Sequence, residues 1–210
     1  FSGLLVEPST DEEERKEYSS IIRNNTDLML NLVNDVLDLS RMETGDLHFD
    51  IKDHLLLVCC QMALESVRHR IPDGVKLTFS PAGEPIVVHV DNLRLQQLLT
   101  NLLTNAAKFT EKGEINLSFQ LEPDRKKVCI AVTDTGAGIP LEKQATIFNR
   151  FEKLDDYKPG VGLGLSICLL IAERLDGALF IDSSYTDGAR FVLILSCEID
   201  SSIYNPPIEV

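Results

Sequence analysis

No stretch of this sequence stays apolar for anything close to the roughly 18 residues that a membrane-spanning helix needs. A run such as residues 55–60 (LLLVCC) is a short piece of core. The opening residues Phe1-Ser2-Gly3-Leu4-Leu5 lack the basic region of a signal peptide. Positive charge is scarce: 20 Lys and Arg stand against 33 Asp and Glu, a formal net charge of −13. That balance argues against nucleic acid or an anionic membrane surface as a partner held by bulk charge. A polyanionic ligand would have to be held by local donors and metal, against the overall field. The cysteines Cys59, Cys60, Cys129, Cys168 and Cys197 are odd in number and show no Cys-x-x-Cys spacing. The pattern gives no support to a metal or redox centre; buried thiols in a reducing cytoplasm are expected. There is no internal repeat.

What is present is ordinary globular material. A chain of 210 residues, 44% apolar and 25% charged, can bury one good core plus an accessory element, or form two small domains. The first fifth reads as helix, turn, long helix. Residues 1–7 look like the last turns of a helix, broken at Pro8-Ser9-Thr10-Asp11. Glu12-Glu13-Glu14 opens a new helix, with Thr10 or Asp11 as cap and acid favoured in the first turn. Ile22, Met29 and Val36 then form one row seven apart, Leu32 and Leu39 an interleaved row, and Leu28, Val33 and Leu37 widen the stripe. This pattern suits a helical bundle. A helix of about thirty residues is roughly 45 Å long, too long to cover its stripe on the segment before Pro8. A partner helix is expected from another chain or from sequence outside these residues.

Thr44-Gly45-Asp46 ends that helix, and the pattern becomes mixed. Residues 47–51 alternate like a strand, and 55–67 read as a helix capped by Asp53. Strands are expected at 75–79 and 86–90, and a helix over 92–108 capped by Asp91. Residues 114–121 and 127–134 form a hairpin around Pro123-Asp124; 160–164 lead into a helix ending near Asp176-Gly177; 178–182 and 190–196 make a last hairpin. Ser201 onward, with Asn205-Pro206-Pro207, reads as a tail or linker. Strands mixed with helices and hairpins indicate an α+β sheet with helices on one face.

Four stretches in this second part could carry chemistry. Asn101 and Asn105 are four apart inside one helix, so their amides share a face. An amide oxygen suits Mg²⁺, which keeps waters and takes further oxygens from phosphate. Lys108, about one turn on, could meet a phosphate as a point charge. The plainer alternative is a pair of polar residues on a solvated helix face. Asp134-Thr135-Gly136-Ala137-Gly138-Ile139-Pro140 follows a strand. A carboxylate there can accept from an exocyclic amine such as that of adenine, and penalises a base offering a carbonyl. Gly136 and Gly138 allow close backbone approach. Alternatives are a tight turn with a capping Asp, or the Asp-Thr-Gly of an aspartic protease, which needs a second copy and a strand-rich chain. Ile147-Phe148-Asn149-Arg150-Phe151-Glu152-Lys153 could brace a mobile loop with Arg150 or Lys153 facing phosphate; taken alone, its aromatics read as core. Gly160-Val161-Gly162-Leu163-Gly164-Leu165-Ser166 opens a helix, where exposed N–H groups make a phosphate cradle. The preceding 153–159 is charged loop rather than strand, so the dinucleotide-fold context is missing.

In order and wording the four stretches resemble the N box, first glycine box, F box and second glycine box of the catalytic ATP-binding domain of sensor histidine kinases. The resemblance covers about 47–197. The helix before it, ending Asp35-Val36-Leu37-Asp38-Leu39-Ser40-Arg41-Met42-Glu43, looks like the second helix of that family's dimerisation and phosphoacceptor domain. The resemblance implies three segments: a truncated helical hairpin at 1–45 with its second helix at 12–43, a catalytic domain at 46–198, and a tail at 199–210. It implies a Bergerat-type two-layer α/β sandwich, a mixed sheet backed by helices, preceded by the long dimerisation helix. It implies ATP and Mg²⁺ as cofactors. Asp134 would read the adenine amino group, Asn105 would ligate Mg²⁺, and Lys108, with Lys112, would contact phosphates. Asn101 sits where relatives that hydrolyse ATP with water place a Glu base. Arg150 or Lys153 would face the terminal phosphate under a lid at 154–159. Gly136, Gly138, Ile139, Gly160, Gly162, Leu163, Gly164 and Leu165 would line the nucleotide. Partners would be a second copy through the helical segment and the receiver domain of a response regulator, in the cytoplasm, with no nucleic acid and no direct membrane contact.

One feature departs from the family. The phosphoacceptor histidine lies on the first dimerisation helix, followed by an acid and, a few residues on, a proline. His48, His54, His69 and His89 all lie elsewhere and lack that context. The expectation is a fragment of a longer kinase that binds Mg·ATP but does not phosphorylate itself at the usual site. Two other readings compete. A water-using or serine-directed ATPase-fold enzyme would lack its general base, because Asn101 replaces Glu. A degenerate module that only dimerises or docks a regulator sits poorly with four complete boxes.

Overall fold

The computed structural model describes residues 11–123, 126–155 and 160–199. The helix turns expected at 1–7, the break at 8–10, Asp124, lid residues 156–159 and the tail at 201–210 lie outside the described residues. The chain divides into two compact units, Phe1–Leu47 and His48–Val210.

The first unit holds helix α1 (Glu12–Thr44). Its start is fixed by a reciprocal capping box. The Asp11 carboxylate accepts the N–H groups of Glu13 and Glu14 at 3.0 and 2.8 Å, and the Glu14 carboxylate accepts the Asp11 N–H at 3.2 Å. Gly45 ends the helix in the left-handed region, φ 77°. Met29, Leu30, Val33, Val36 and Leu37 are between 45% and 69% exposed, so much of the apolar stripe is uncovered in the single chain.

The second unit is built on a seven-stranded sheet: β1 (Lys52–Leu55), β2 (Val75–Ser80), β3 (Ile86–Val90), β4 (Gly113–Leu121), β5 (Lys127–Asp134), β6 (Ala178–Ile181) and β7 (Ala189–Ile199). The order is β1-β3-β7-β5-β4-β2, with β6 also paired to β7. The β2–β4 pair is parallel and the other pairs are antiparallel, which makes the sheet mixed. Helices α2 (Leu56–Val67), α3 (Asn92–Phe109) and α5 (Gly164–Arg174) form one layer. α3 lies in the middle against β4 and β5, α2 beside β1 and β3, and α5 beside β6. A short turn of helix, α4 (Leu141–Gln144), follows β5, and a single 3-10 turn (Arg68–Arg70) follows α2.

Alternation along the strands decides which side faces the helices. Ile115, Leu117 and Phe119 of β4 are buried, and their partners across β5 are Asp134, Val132 and Ile130. The same rows continue into Ala189, Phe191 and Leu193 of β7. From α3 they meet Leu95, Leu98, Leu99, Leu102 and Leu103, none more than 1% exposed. Burying each such side chain contributes about 1.5–3 kcal/mol. Asp91 fixes the start of α3, accepting the Arg94 N–H at 3.1 Å through one oxygen and the Asp50 N–H at 3.0 Å through the other.

The region before α2 differs from expectation. Residues 47–51 form no strand; the strand is Lys52–Leu55, antiparallel to β3. The Asp50 N–H goes to the Asp91 carboxylate rather than into a ladder. Asp53 is not a helix cap but a strand residue opposite His89, whose Nδ1 lies 2.7 Å from its carboxylate. His54 is likewise in β1, and α2 starts at Leu56 without a side-chain cap.

Candidate functional site

Strand β5 positions Asp134 by the same alternation that buries Val128, Ile130 and Val132. The carboxylate is therefore the polar end of an apolar row, only 4% exposed. Its Oδ1 accepts the Gly136 N–H at 2.9 Å and the Ala189 N–H at 3.3 Å. Among the described residues Oδ2 accepts no hydrogen bond. Burial pushes the carboxyl above the usual carboxylate range, and the two N–H donors oppose that shift. The turn after Asp134 docks on the end of α3, where the Ala137 N–H donates to the Phe109 carbonyl at 3.2 Å. A side chain at position 136 would collide with that carbonyl, so glycine lets the turn seat there.

Helix α3 carries the second group of residues. Leucines at 95, 98, 99, 102 and 103 bury one face, which leaves Asn101, Asn105 and Lys108 half-buried along its border. Among the described residues no hydrogen bond reaches the side-chain amide of Asn101 or Asn105. The fold brings this border against the second glycine run. A Cβ at Gly164 would lie 3.8 Å from Asn101 Nδ2, and one at Gly160 would lie 3.4 Å from Lys108 Nζ. The Lys108 ammonium also sits over the Phe109 ring, 5.0 Å from its centroid. Helix α5 begins at Gly164 without a side-chain cap, so its positive end faces this region with backbone donors unclaimed by side chains.

The segment between the two glycine turns contributes differently from residue to residue. Ile147 is buried, and Phe148 packs edge-on against Phe191 of β7 at 6.2 Å. Phe151 is exposed, Arg150 is exposed and Lys153 is half-buried. Lys143 pairs with Glu152 at 3.0 Å. Leu163 is buried in the core, its carbonyl already accepting from the Ile167 N–H at 3.0 Å and the Ser166 hydroxyl at 2.8 Å; Leu165, Gly138 and Ile139 are half-buried. Lys112, which was expected near phosphate, is exposed in the turn before β4.

Sequence reasoning missed several residues around Asp134. Ala189, the first residue of β7, gives Oδ1 its second donor, and Gly188 precedes it; a Cβ at Gly188 would collide with the Asp134 carbonyl. Thr110, just past α3, is 1% exposed, and its Oγ1 has no hydrogen-bond partner among the described residues. A Cβ at Gly136 would lie 2.9 Å from that oxygen. The available signal was the glycine in Asp187-Gly188, a turn pair just before a strand.

Comparison with known proteins identifies the family. The profile described as histidine kinase-, DNA gyrase B- and HSP90-like ATPase matches residues 90–199, and that of the His kinase A phospho-acceptor domain matches residues 1–45. Hybrid signal transduction histidine kinase A of Dictyostelium discoideum is 31% identical over 209 residues, which cover 92% of this chain and 10% of that protein. Two-component system protein A of Emericella nidulans is 36% identical over 179 residues, 80% of this chain and 26% of that protein. The chain thus spans between a tenth and about a quarter of the length of these two relatives. Full-length ShkA in complex with AMPPNP shares the fold with a TM-score of 0.78 and 27% identity, over 94% of this chain and 42% of that one. The chain belongs to the histidine kinase-, DNA gyrase B- and HSP90-like ATPase family and carries an ATP-binding domain of the sensor histidine kinase type.

Proposed function

We propose that this chain is the catalytic part of a protein-histidine kinase that binds Mg·ATP and passes the γ-phosphoryl to a histidine outside these residues, for relay to an aspartate of a response-regulator receiver domain. The single observation that carries the reading is Asp134: a buried carboxylate at a strand end with one oxygen satisfied by two N–H groups and the other left to accept from a ligand. An exocyclic amine fits that oxygen, and a carbonyl does not, so adenine is favoured over guanine. Gly136, Gly138 and Ile139 form the turn beneath the base.

Phosphoryl transfer asks for positioning and charge neutralisation. Lys108, Arg150, Lys153 and the backbone of Gly160, Gly162, Leu163, Gly164 and Leu165 supply cations and N–H donors toward the phosphates. The unengaged Asn105 amide suits a hard cation. Among the described residues no three His, Cys, Asp or Glu side chains gather as a metal cage, so Mg²⁺ would take its remaining oxygens from phosphate and water. When bound, it neutralises charge between the phosphates. The γ-phosphorus leaves the β–γ bridging oxygen of ATP and joins an imidazole nitrogen, and ADP departs. Asn101 carries no base, which favours a nucleophile that needs none, such as neutral imidazole, over water.

The histidines present are His48, His54, His69 and His89. None lies in the segment matched by the phospho-acceptor profile, so this chain acts on a histidine supplied by another segment or chain. The uncovered stripe of α1 supports pairing with a second copy. Among the described residues no helix is long and apolar enough to cross a membrane, and the free thiols support work in the cytoplasm. We place residues 1–45 in the dimerisation element, 46–198 in the catalytic domain and 199–210 in a tail.

Calorimetry with ATP, with and without Mg²⁺, tests the site. Saturable binding, lost in Asp134→Asn and freed of its Mg²⁺ dependence in Asn105→Ala, is expected, with GTP binding much more weakly. A folded chain that binds no ATP would sink the reading.

A further inference from the structure

We infer that Gln144 and Ser183 form a clip that holds the glycine turn after Asp134 in its binding shape, which makes Gln144 a positioning residue for the nucleotide. The inference rests on the reading above, in which that turn lies under the base.

Gln144 is the last residue of α4, half-buried, and its amide is used at both ends. Nε2 donates to the Ile139 carbonyl at 3.0 Å. Oε1 accepts from the Ser183 hydroxyl at 2.6 Å. The two bonds fix which way the amide points, because only the nitrogen can donate and only the oxygen can accept. The clip therefore joins two chain segments distant in sequence: the turn that leaves β5 and the connection from β6 to β7.

The same two segments are also tied at their other ends. Asp134 Oδ1 takes the Ala189 N–H, and a Cβ at Gly138 would lie 3.1 Å from the Gly188 carbonyl. The β6–β7 connection is itself braced. Asp182 accepts the N–H and hydroxyl of Ser184 at 3.0 and 2.6 Å and the Arg190 guanidinium at 3.2 Å. Arg190 in turn donates to the Thr133 hydroxyl at 3.2 Å, beside Asp134, and stacks on Tyr185. Ser183, itself exposed, thus sits in a turn braced on both sides, with the Tyr185 N–H also donating to the Asp182 carbonyl at 3.2 Å. Pulling Ile139 toward Ser183 sets the far end of a turn whose near end Asp134 fixes. Without the clip, residues 137–139 must be ordered when the ligand binds, which lowers affinity without touching the ligand directly.

The test measures Mg·ATP and ADP dissociation constants by calorimetry for the wild-type chain and for Ser183→Ala, Gln144→Ala and Gln144→Glu, with thermal melts of each. Gln144→Glu keeps the acceptor for Ser183 but loses the donor to Ile139. The dissociation constants should rise by roughly 3- to 30-fold in both Gln144 variants, for a loss of one or two net hydrogen bonds, and by less in Ser183→Ala. The rise should be equal for ATP and ADP and should leave the Mg²⁺ dependence intact, since the clip lies at the base end. Hydrogen exchange at Ala137–Ile139 should quicken in the same order while Tm stays near wild type, and a general loss of fold would not give that pattern. Unchanged dissociation constants in all three variants, with wild-type binding intact, overturn the clip alone. Affinity lost only in step with Tm also overturns it. A wild-type chain that binds no nucleotide overturns both the clip and the reading it rests on.

Discussion

The Phe151 N–H donates to the Gly162 carbonyl at 2.9 Å, closing a loop whose two ends both have positive φ, 62° at Phe151 and 81° at Gly162. A non-glycine residue held in that region costs on the order of 1–3 kcal/mol and persists only where the surroundings enforce it. A Cβ at Gly162 would stand 2.6 Å from the Glu152 carbonyl oxygen. Gly162→Ala should therefore break this closure while sparing the sheet. Faster amide exchange at Phe151 and weaker ATP binding are expected. Native exchange rates there would show that the loop tolerates the methyl.

Asp134 sets activity against stability. Its folded carboxyl titrates above the unfolded value because burial disfavours the charge. The folded chain then holds the proton more tightly, so this group's contribution to stability is fully present below the unfolded value and is lost as pH rises through the folded one. At neutral pH the buried charge is a cost. Asp134→Asn removes the charge and can keep an oxygen for the Gly136 and Ala189 N–H groups. The variant should melt at or above the wild-type temperature at pH 7, lose that advantage as pH falls through the carboxylate range, and fail to bind ATP. A lower Tm at pH 7 would contradict this account.

Thr110 offers a cheaper gain. A buried hydroxyl without a partner costs about 1–3 kcal/mol, and its Oγ1 finds none among the described residues. Thr110→Val, of similar shape, should leave Tm unchanged or raise it in thermal melts. A clear fall in Tm would reveal a partner for the hydroxyl, ordered water included.

The thiols divide by burial. Cys59, Cys60 and Cys168 are at most 2% exposed, while Cys129 and Cys197 are partly accessible. Burial pushes the thiols of Cys59, Cys60 and Cys129 upward, most strongly at Cys60. Native protein at pH 7 should react with a thiol reagent slowly and at no more than Cys129 and Cys197, and at all five only after denaturation. Rapid labelling of Cys60 would mean that α2 opens readily.

Much of this was readable from local chemistry. The Asp91 cap, the leucine face of α3, the β4–β5 hairpin and the carboxylate closing β5 all express themselves within a few residues, where periodicity and capping act. The start of β1 is not legible locally: Leu47, Phe49 and Ile51 alternate like a strand, whereas pairing with β3 falls on Lys52–Leu55. Just before that pairing begins, Asp91 takes the Asp50 N–H, a contact 41 positions away. Ala189, Gly188 and Gln144 were hidden for the same reason: their importance comes from register with β5 and from the Ser183 hydroxyl, not from their neighbours in sequence.

Strand β7 has a consequence for how the protein is made. It pairs with β5 on one edge and with β6 and β3 on the other, so without it the sheet falls into a β1–β3 pair and a β2–β4–β5 group. It also brings the Ala189 N–H to the Asp134 carboxylate. On a ribosome, chain that has emerged only as far as β6 holds the glycine turns and the α3 amides but no joined sheet to set them on. The nucleotide site is therefore expected to assemble in one step, once β7 has emerged and joined the two groups of strands.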